Sequence, residues 1–509
     1  MARITGSSLG ETLFGTAEAD WIYALQGDDR ILGSAGSDTI RGGTGRDGVL
    51  YLGSAAAVTI DLLTGAASGG DAQGDVYFSI EWFVGSRFAD LFTGDSGNNR
   101  LFGAAGMDTI RGGGGNDIIG GGAGADSLFG GSGTDQLRYA ASDAAVVVDL
   151  GLGTASGGHA GGDIFSGFEN LSGSRFADHL SGGAGANRLA GRDGDDTLIG
   201  KGGNDTLSGG AGADLMDGGA GTDTVSYRYF TPWRYGAIID ERLGTSSGAA
   251  AGDRFVSIEN FVGTVLGDSL VLGGADNRAV GLGGDDFIDT GAGNDTLIGG
   301  PGRDFLHGGT GTDTAAYFTS DAAVAIDLAT GGASGGHAEG DTLSWIENVS
   351  GSDFADRITG NLLDNVLRGR GGDDTLSGAA GRDTLWGGQG ADRFVFSDRA
   401  DFVTQKQADT LRLGKYGAST ADVLRDFETG TDLLRVAAAA FDGALFATDD
   451  VAQMGLASAT DAAFSLVGNA LFHVRYANTA DFQAGLVEIT HLANFAGGAL
   501  PGAGDFDFY

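Results

Sequence analysis

Through long stretches of this chain every ninth residue is aspartate, and a glycine stands two places before most of them. Gly112 to Phe129 reads GGGGNDIIG and then GGAGADSLF, and the pairs Gly36/Asp38, Gly45/Asp47, Gly115/Asp117, Gly124/Asp126 and Gly133/Asp135 keep that spacing. Carboxylates repeated at a fixed interval are hard oxygen donors. Calcium, a hard divalent cation, takes six to eight oxygens from carboxylates and backbone carbonyls. Glycine beside the carboxylate permits positive φ in a tight loop and lets a carbonyl approach an ion. The chemistry on offer is cation binding.

Five blocks carry the register, and their aspartates are the candidate calcium ligands. The first block has Glu11 followed by Asp20, Asp29, Asp38 and Asp47. The second has Asp90, Asn99, Asp108, Asp117, Asp126 and Asp135, and the third has Asp178, Asn187, Asp196, Asp205, Asp214 and Asp223. Asp268, Asn277, Asp286, Asp295, Asp304 and Asp313 form the fourth, and Asp356, Asn365, Asp374, Asp383 and Asp392 the fifth. The asparagines offer an oxygen without the charge, so sites at those positions are expected to be weaker or empty.

The nonapeptide G-G-x-G-x-D-x-U-x, with U apolar, resembles the calcium-binding repeat of RTX (repeats-in-toxin) proteins. That resemblance implies an all-β fold: a right-handed parallel β-roll or β-solenoid with calcium in the turns, closed by a C-terminal β-rich capping and secretion region. Two nonapeptides make one turn in that family, so loops n and n+2 stack on one edge, about 4.8 Å apart. The resulting pairs are Asp29 with Asp47, Asp108 with Asp126, Asp117 with Asp135, Asp196 with Asp214, and Asp205 with Asp223. Asp286 with Asp304, Asp295 with Asp313, and Asp374 with Asp392 complete the set. Roughly 10–20 calcium ions are expected from such stacking. Unneutralised carboxylates so close repel, and each nonapeptide buries little besides its U residue, so the fold is expected to need the cation.

Four longer inserts separate the blocks. Ala145 to Asp178 (AVVVDLGLGTASGGHAGGDIFSGFENLSGSRFAD) matches Ala323 to Asp356 closely, with diverged copies at Val58 to Asp90 and Ala237 to Asp268. Block plus insert is a super-repeat of roughly 88 residues, the signature of tandem duplication. The resulting segments are 1–50, 51–138, 139–226, 227–316, 317–395 and 396–509. Alternating Val146, Val148 and Leu150 read as a strand, and the inserts are expected to be extra solenoid turns with larger loops. Glu169-Asn170, Glu259-Asn260 and Glu347-Asn348 recur in three inserts, with Glu81-Trp82 in the other. They are either turn-stabilising groups or accessory calcium ligands. From Phe396 the register stops. Ser419 followed by Asp422 resembles a helix cap, so a short helix is expected near Ser419 to Arg425. Gly387 to Phe396 followed by Asp426-Phe427-Glu428-Thr429-Gly430-Thr431-Asp432-Leu433 resembles the end of the RTX domain in serralysin-type proteases, and the terminal DFDFY resembles the tails of type I secretion substrates.

Composition agrees with a cation-dependent roll. The 509 residues include 98 glycines and only 3 prolines, and acidic residues outnumber basic ones 68 to 30 for a net charge of −38. Such a charge argues against nucleic acid or an anionic membrane as partner. The 41% hydrophobic content at regular positions argues against simple acidic disorder. Cysteine is absent, no apolar run is long enough for a transmembrane helix, and MARITGSSLGETLFG lacks the form of a Sec signal peptide. The strings Gly267-Asp268-Ser269-Leu270 and Gly6-x-Ser8-x-Gly10 match esterase signatures, but the first lies on the register and the second is a chance product of a Gly/Ser-rich chain. His159, His179, His307, His337, His473 and His491 are dispersed, without H-E-x-x-H. No catalytic residues and no further cofactor are expected.

The repeats start almost at Met1, which leaves no room for a toxin or enzyme cargo in the sequence given. The expectation is a secreted, non-enzymatic structural protein, extracellular or at the surface of a Gram-negative bacterium after type I secretion. It folds on export and self-associates through its solenoid ends or inserts into a surface layer, filament or biofilm matrix. The alternative is a calcium-dependent adhesin that holds a cell-surface glycan or protein, for which the aromatic stretch Tyr227, Tyr229, Phe230, Trp233 and Tyr235 is either a contact or drift. An unrecognised secreted enzyme is a third reading. No membrane insertion is expected.

Overall fold

The apolar U residue of each nonapeptide dictates the architecture. In a computed structural model, which describes residues 2–228, 235–396 and the backbone of strand segments between 405 and 494, each consensus strand is short and buries its middle residue. Thr197–Ile199 and Thr375–Ser377 show the pattern, with Leu198 and Leu376 fully buried and their neighbours half-buried. Among the described residues there is no helix long and apolar enough to cross a membrane. The chain divides into two compact units, Met1–Val262 and Gly263–Tyr509.

In the first unit the strands stack into two parallel walls. One wall is unbroken. Its U residues pair in parallel from Leu13 to Ile31, Val49, Phe83, Leu101, Ile119, Leu137, Leu171, Leu189, Leu207, Val225 and Phe261. The other wall is interrupted at each insert. Ile4, Ile22, Ile40 and Tyr77 stack; then Thr59–Asp61 starts a new sheet that runs through Leu91–Thr93, Thr109–Gly114, Ser127–Ser132 and Ile164–Ser166. Val147–Asp149 starts the next, through His179–Ser181, Thr197–Ile199, Leu215–Asp217 and Arg254–Val256. Each restart is covered by an antiparallel strand of the same insert, Ala66–Ser68 over the first and Thr154–Ser156 over the second. An insert is thus a solenoid turn bearing a hairpin on one wall only, and the expected strand is present with Val146 and Val148 buried.

The second unit repeats the plan. Arg278–Val280, Thr296–Ile298, Thr314–Ala316, Asn348–Ser350, Val366–Gly371 and Thr384–Gln389 form its unbroken wall. Opposite, Ser269–Val271, Phe287–Asp289, Phe305–His307 and Thr342–Ser344 stack. The wall resumes with Ala325–Asp327, capped by Gly332–Ser334, and continues through Arg357–Thr359, Thr375–Ser377 and Arg393–Phe396. Beyond the register the pairing turns antiparallel: Leu433–Ala437 lies parallel to Arg393–Phe396, but then pairs antiparallel with Leu486–Asn494. The helix expected near Ser419 to Arg425 is corrected where it is described. Asp422–Arg425 is a strand, parallel to Thr384–Gln389, because edge pairing there outweighs a lone capping signal. Ser419, Asp426 to Asp432, the DFDFY tail, and Tyr229, Phe230 and Trp233 lie outside the described residues.

Candidate metal centre

Each register aspartate sits in the loop immediately before a strand, and stacked loops lie 18 residues apart in the blocks. Loops leading into the interrupted wall carry Asp20, Asp38, Asp108 and Asp126; those leading into the unbroken wall carry Asp29, Asp47, Asp117 and Asp135. The loops stay tight because glycines such as Gly113 (φ 103°) and Gly115 (φ 92°) take left-handed conformations that a side chain resists.

One hydrogen bond repeats up both edges within the blocks: the backbone N–H of a register residue donates to Oδ1 of the aspartate one turn on. The distance is 2.8 Å from Asp108 to Asp126, from Asp117 to Asp135, from Asp196 to Asp214 and from Asp295 to Asp313. It is 2.7 Å from Asp205 to Asp223, and 2.9 Å for Asp29 to Asp47, Asp286 to Asp304 and Asp374 to Asp392. Every pair expected from the stacking is therefore brought together. Asp383 joins through its Oδ1, which accepts from Asn365 N–H at 2.8 Å.

Oδ2 divides the aspartates into two kinds. On Asp29, Asp47, Asp108, Asp117, Asp126, Asp135, Asp196, Asp205, Asp214, Asp223, Asp286, Asp304, Asp313 and Asp374 it is buried with no hydrogen-bond partner. A buried carboxylate oxygen without a partner is costly, and one repeated in every block calls for a ligand. Except at Asp29, which has Ala24 there, a glycine five places earlier makes the cradle. A Cβ on Gly112 would overlap Asp117 Oδ2 and the Gly130 carbonyl, and a Cβ on Gly200 would overlap Asp205 Oδ2 and the Gly218 carbonyl. Two carboxylates and inward-turned carbonyls are a calcium donor set. Among the described residues no group of three or more acidic or histidine side chains converges on a point, so an ion there would draw most of its oxygens from the backbone.

The second kind is satisfied by the protein. Asp20 Oδ2 accepts from the Thr16 amide and hydroxyl at 2.6 and 2.8 Å, and Asp38 Oδ2 from the Ser34 hydroxyl at 3.1 Å. The amides of Ser86, Ser174, Thr264 and Ser352 donate to Oδ2 of Asp90, Asp178, Asp268 and Asp356, and their hydroxyls donate to Oδ1. A Ser or Thr four residues before the aspartate, where the consensus has glycine, marks these rungs. The asparagines differ again: Asn187 and Asn365 donate from Nδ2 to the carbonyls of Glu169 and Glu347, both at 2.7 Å.

The inserts supply rungs that the nine-residue register misses. Asp75, Asp163, Asp253 and Asp341 accept from the amides of Asp38, Asp126, Asp214 and Asp304 at 2.8–2.9 Å. Their Oδ2 atoms are taken by the buried hydroxyls of Tyr51, Tyr139, Tyr227 and Tyr317 at 2.6–3.0 Å. Burial pushes these phenols well up, with the adjoining Asp charge acting in the same direction for Tyr139, Tyr227 and Tyr317. On the other edge Glu81, Glu169, Glu259 and Glu347 accept from Asp47, Asp135, Asp223 and Asp313 at 2.7–2.9 Å. Changed spacing hid the insert aspartates, although the G-D preceding Val76, Ile164, Arg254 and Thr342 was a usable signal where an insert aligned with its copies; the glutamates stood out by their recurrence, and the structure places each against a register amide.

Burial governs the electrostatics of both kinds, and it raises the satisfied Asp38, Asp90, Asp178 and Asp356 as well. Burial pushes Asp108, Asp196, Asp286 and Asp374 up to about 8, against the donated amide of the preceding rung and with the help of neighbouring carboxylates. Asp117, Asp126 and Asp205 are pushed up to about 6 for the same first reason. The Thr16 amide, by contrast, holds Asp20 below the ordinary range. Asp268 of the esterase-like string is a rung bonded to Asp286, and Leu270 is a fully buried U residue.

The model of the RTX calcium-binding nonapeptide repeat, in four copies, matches residues 5–49, 79–106, 102–137, 163–198, 191–225, 280–315, 350–385 and 359–394. No curated protein matches the chain.

Proposed function

We propose that this chain, an RTX calcium-binding nonapeptide-repeat protein by the repeats it carries, is a secreted scaffold that folds on meeting calcium outside the cell and then self-associates. The observation that carries the calcium dependence is the row of buried, partnerless Oδ2 atoms, all but that of Asp29 beside a glycine cradle. We assign the metal to those aspartates and treat Asp20, Asp38, Asp90, Asp178, Asp268 and Asp356, whose oxygens meet protein donors, as structural rungs. Bound calcium would neutralise the carboxylates and order the carbonyls. The chain's own residues hold the loops in register through the amide-to-Oδ1 ladder. Calcium-poor cytosol would leave the chain loosely ordered for export by a type I system of a Gram-negative bacterium, with folding delayed until the extracellular side.

Self-association is supported by apolar side chains exposed on the outer face of the interrupted wall, including Trp21, Phe78, Ile164, Val256 and Phe287. Light scattering and electron microscopy across a calcium titration test it. Growth that starts with calcium is expected, and monomers at every calcium concentration would overturn the scaffold.

A second reading, a calcium-dependent binder of an anionic glycan or protein, is favoured by one feature of the first unit. A trough of about 650 Å³ lies between Phe102, Gly120, Arg138, Tyr139, His159 and Arg192. Arg138 packs over Phe102, and burial followed by the charges of Arg192 and Arg100 pushes its guanidinium down. Like cations gathered in a chain of net charge −38 favour an acidic ligand. Retention on acidic polysaccharide that is lost in R138A/R192A would favour this reading; equal retention of both proteins would remove it.

A further inference from the structure

Each insert places a glutamate against the last consensus aspartate of the unbroken wall. The carboxylates of Asp47, Asp135, Asp223 and Asp313 are 0% exposed, and their Oδ2 atoms have no partner. Their backbone amides donate to Oε2 of Glu81, Glu169, Glu259 and Glu347, just as a consensus amide donates to Oδ1 of the next aspartate. A carboxylate is therefore held one turn on from each, at the position where a block would have its next rung.

The carbonyl half of the cradle is preserved too. In the consensus a Cβ on Gly112 would meet Asp117 Oδ2 and the Gly130 carbonyl. Where the insert follows, a Cβ on Gly130 would meet Asp135 Oδ2 and the Gly167 carbonyl. Gly42, Gly218 and Gly308 repeat the arrangement with the carbonyls of Ser79, Ser257 and Trp345 and with Oδ2 of Asp47, Asp223 and Asp313. The carbonyl donor stands two residues before the glutamate in every insert and has positive φ: 51° at Ser79, 73° at Gly167, 50° at Ser257 and 53° at Trp345. Three of these are not glycine, and a left-handed serine or tryptophan is uncommon. The cradles of the interrupted wall have different nearest neighbours. On Gly121, Gly209 and Gly299 the nearest atoms to a Cβ all belong to Asp126, Asp214 and Asp304 themselves, while tyrosine hydroxyls occupy Oδ2 of the insert aspartates.

We infer that Glu81, Glu169, Glu259 and Glu347 are calcium ligands that carry the metal ladder of the unbroken wall across each insert, sharing the ion with Asp47, Asp135, Asp223 and Asp313 and with the carbonyls of Ser79, Gly167, Ser257 and Trp345. This rests on the calcium reading above. Each site joins a buried aspartate, a glutamate and a carbonyl in place of two aspartates and a glycine carbonyl, and no consensus nonapeptide contains it.

The test is the number of calcium ions bound by the full chain in equilibrium dialysis. Glutamine keeps an oxygen to accept the amide bond but has no charge, so a purely structural glutamate would tolerate it. E81Q/E169Q/E259Q/E347Q is expected to bind four fewer ions than the unaltered chain, and E169Q one fewer. An unchanged count in these variants, with the unaltered chain still binding calcium, would overturn the glutamate assignment alone. An unaltered chain that binds none would overturn the calcium reading itself. Should the quadruple variant fail to fold, E169Q and E347Q, each checked for strand signal by circular dichroism, decide the matter by the same count.

Discussion

The two walls meet an insert differently, and the difference lies in what satisfies one carboxylate oxygen. On the interrupted wall the insert aspartate accepts a buried tyrosine hydroxyl, as Asp163 does from Tyr139 at 2.9 Å, and the sheet restarts under a hairpin. On the unbroken wall the insert offers Glu169 and the Gly167 carbonyl, and parallel pairing runs on from Leu137 to Leu171. A phenol supplies its own proton and needs no metal. A second carboxylate has no proton to give and leaves Asp135 Oδ2 bare. The insert carboxylate itself is thus closed by a tyrosine hydroxyl on one edge only, while the block aspartates that precede an insert, Asp126 as much as Asp135, keep a bare Oδ2, so metal dependence is distributed along the chain instead of belonging to it uniformly.

Removing calcium should have the largest effect. In excess chelator most of the parallel strand signal of the blocks is expected to disappear from the circular dichroism spectrum and to return with millimolar calcium. An equal spectrum in both conditions would mean that both walls are closed by protein groups. Protons should substitute in part. Asp108, Asp196, Asp286 and Asp374 are raised from 3.8 to about 8 in the folded, metal-free chain. A raised folded value means that the folded form holds protons the unfolded form has given up. The stabilisation is therefore fully present below about 3.8 and is lost as pH rises through about 8. In chelator, strand signal should increase from pH 8 to pH 5; with saturating calcium this pH dependence should vanish.

Much of this was legible beforehand, and the gaps have identifiable causes. The nine-residue spacing located the stacked pairs within the blocks because the U residues, Leu198 or Ile119 for example, are fully buried and fix the register. What spacing could not separate was a bare aspartate from a satisfied one: Asp178 and Asp196 read alike until Ser174 is seen four places before the first. Tyr139 and Asp163 escaped notice because their contact spans 24 residues and is made by a fold, not a motif. The helix expected near Ser419 rested on two residues without an apolar stripe, and pairing turned its C-terminal part into a strand.

Single substitutions separate the two kinds of aspartate. D196N removes a charge from a buried carboxylate whose Oδ2 has no partner. With calcium at a hundred times the Kd of such a site, its loss should cost about 2.7 kcal/mol, seen as a lower unfolding midpoint in calcium and little change in chelator. D178N alters a rung that already accepts from Ser174, so its cost of about 1 kcal/mol should be the same with or without calcium. Equal calcium sensitivity of the two variants would erase the distinction drawn from Oδ2.

The smallest effect is expected where the protein has replaced the ion. Y139F keeps the buried ring and removes only the hydroxyl, which leaves Asp163 Oδ2 without its donor. An unsatisfied buried carboxylate oxygen costs about 1–3 kcal/mol, confined to the turn between Asp126 and Asp163. Burial already raises the Asp163 carboxyl, so the variant should take up a proton there on acidification and recover part of the loss. Calcium should not restore it, because the phenyl ring still fills the space and no insert carbonyl stands among the atoms nearest the Gly121 cradle. If millimolar calcium instead brought the unfolding midpoint of Y139F back to that of the unaltered chain, the tyrosine edge would be a latent metal site, and the two walls would differ in occupancy but not in kind.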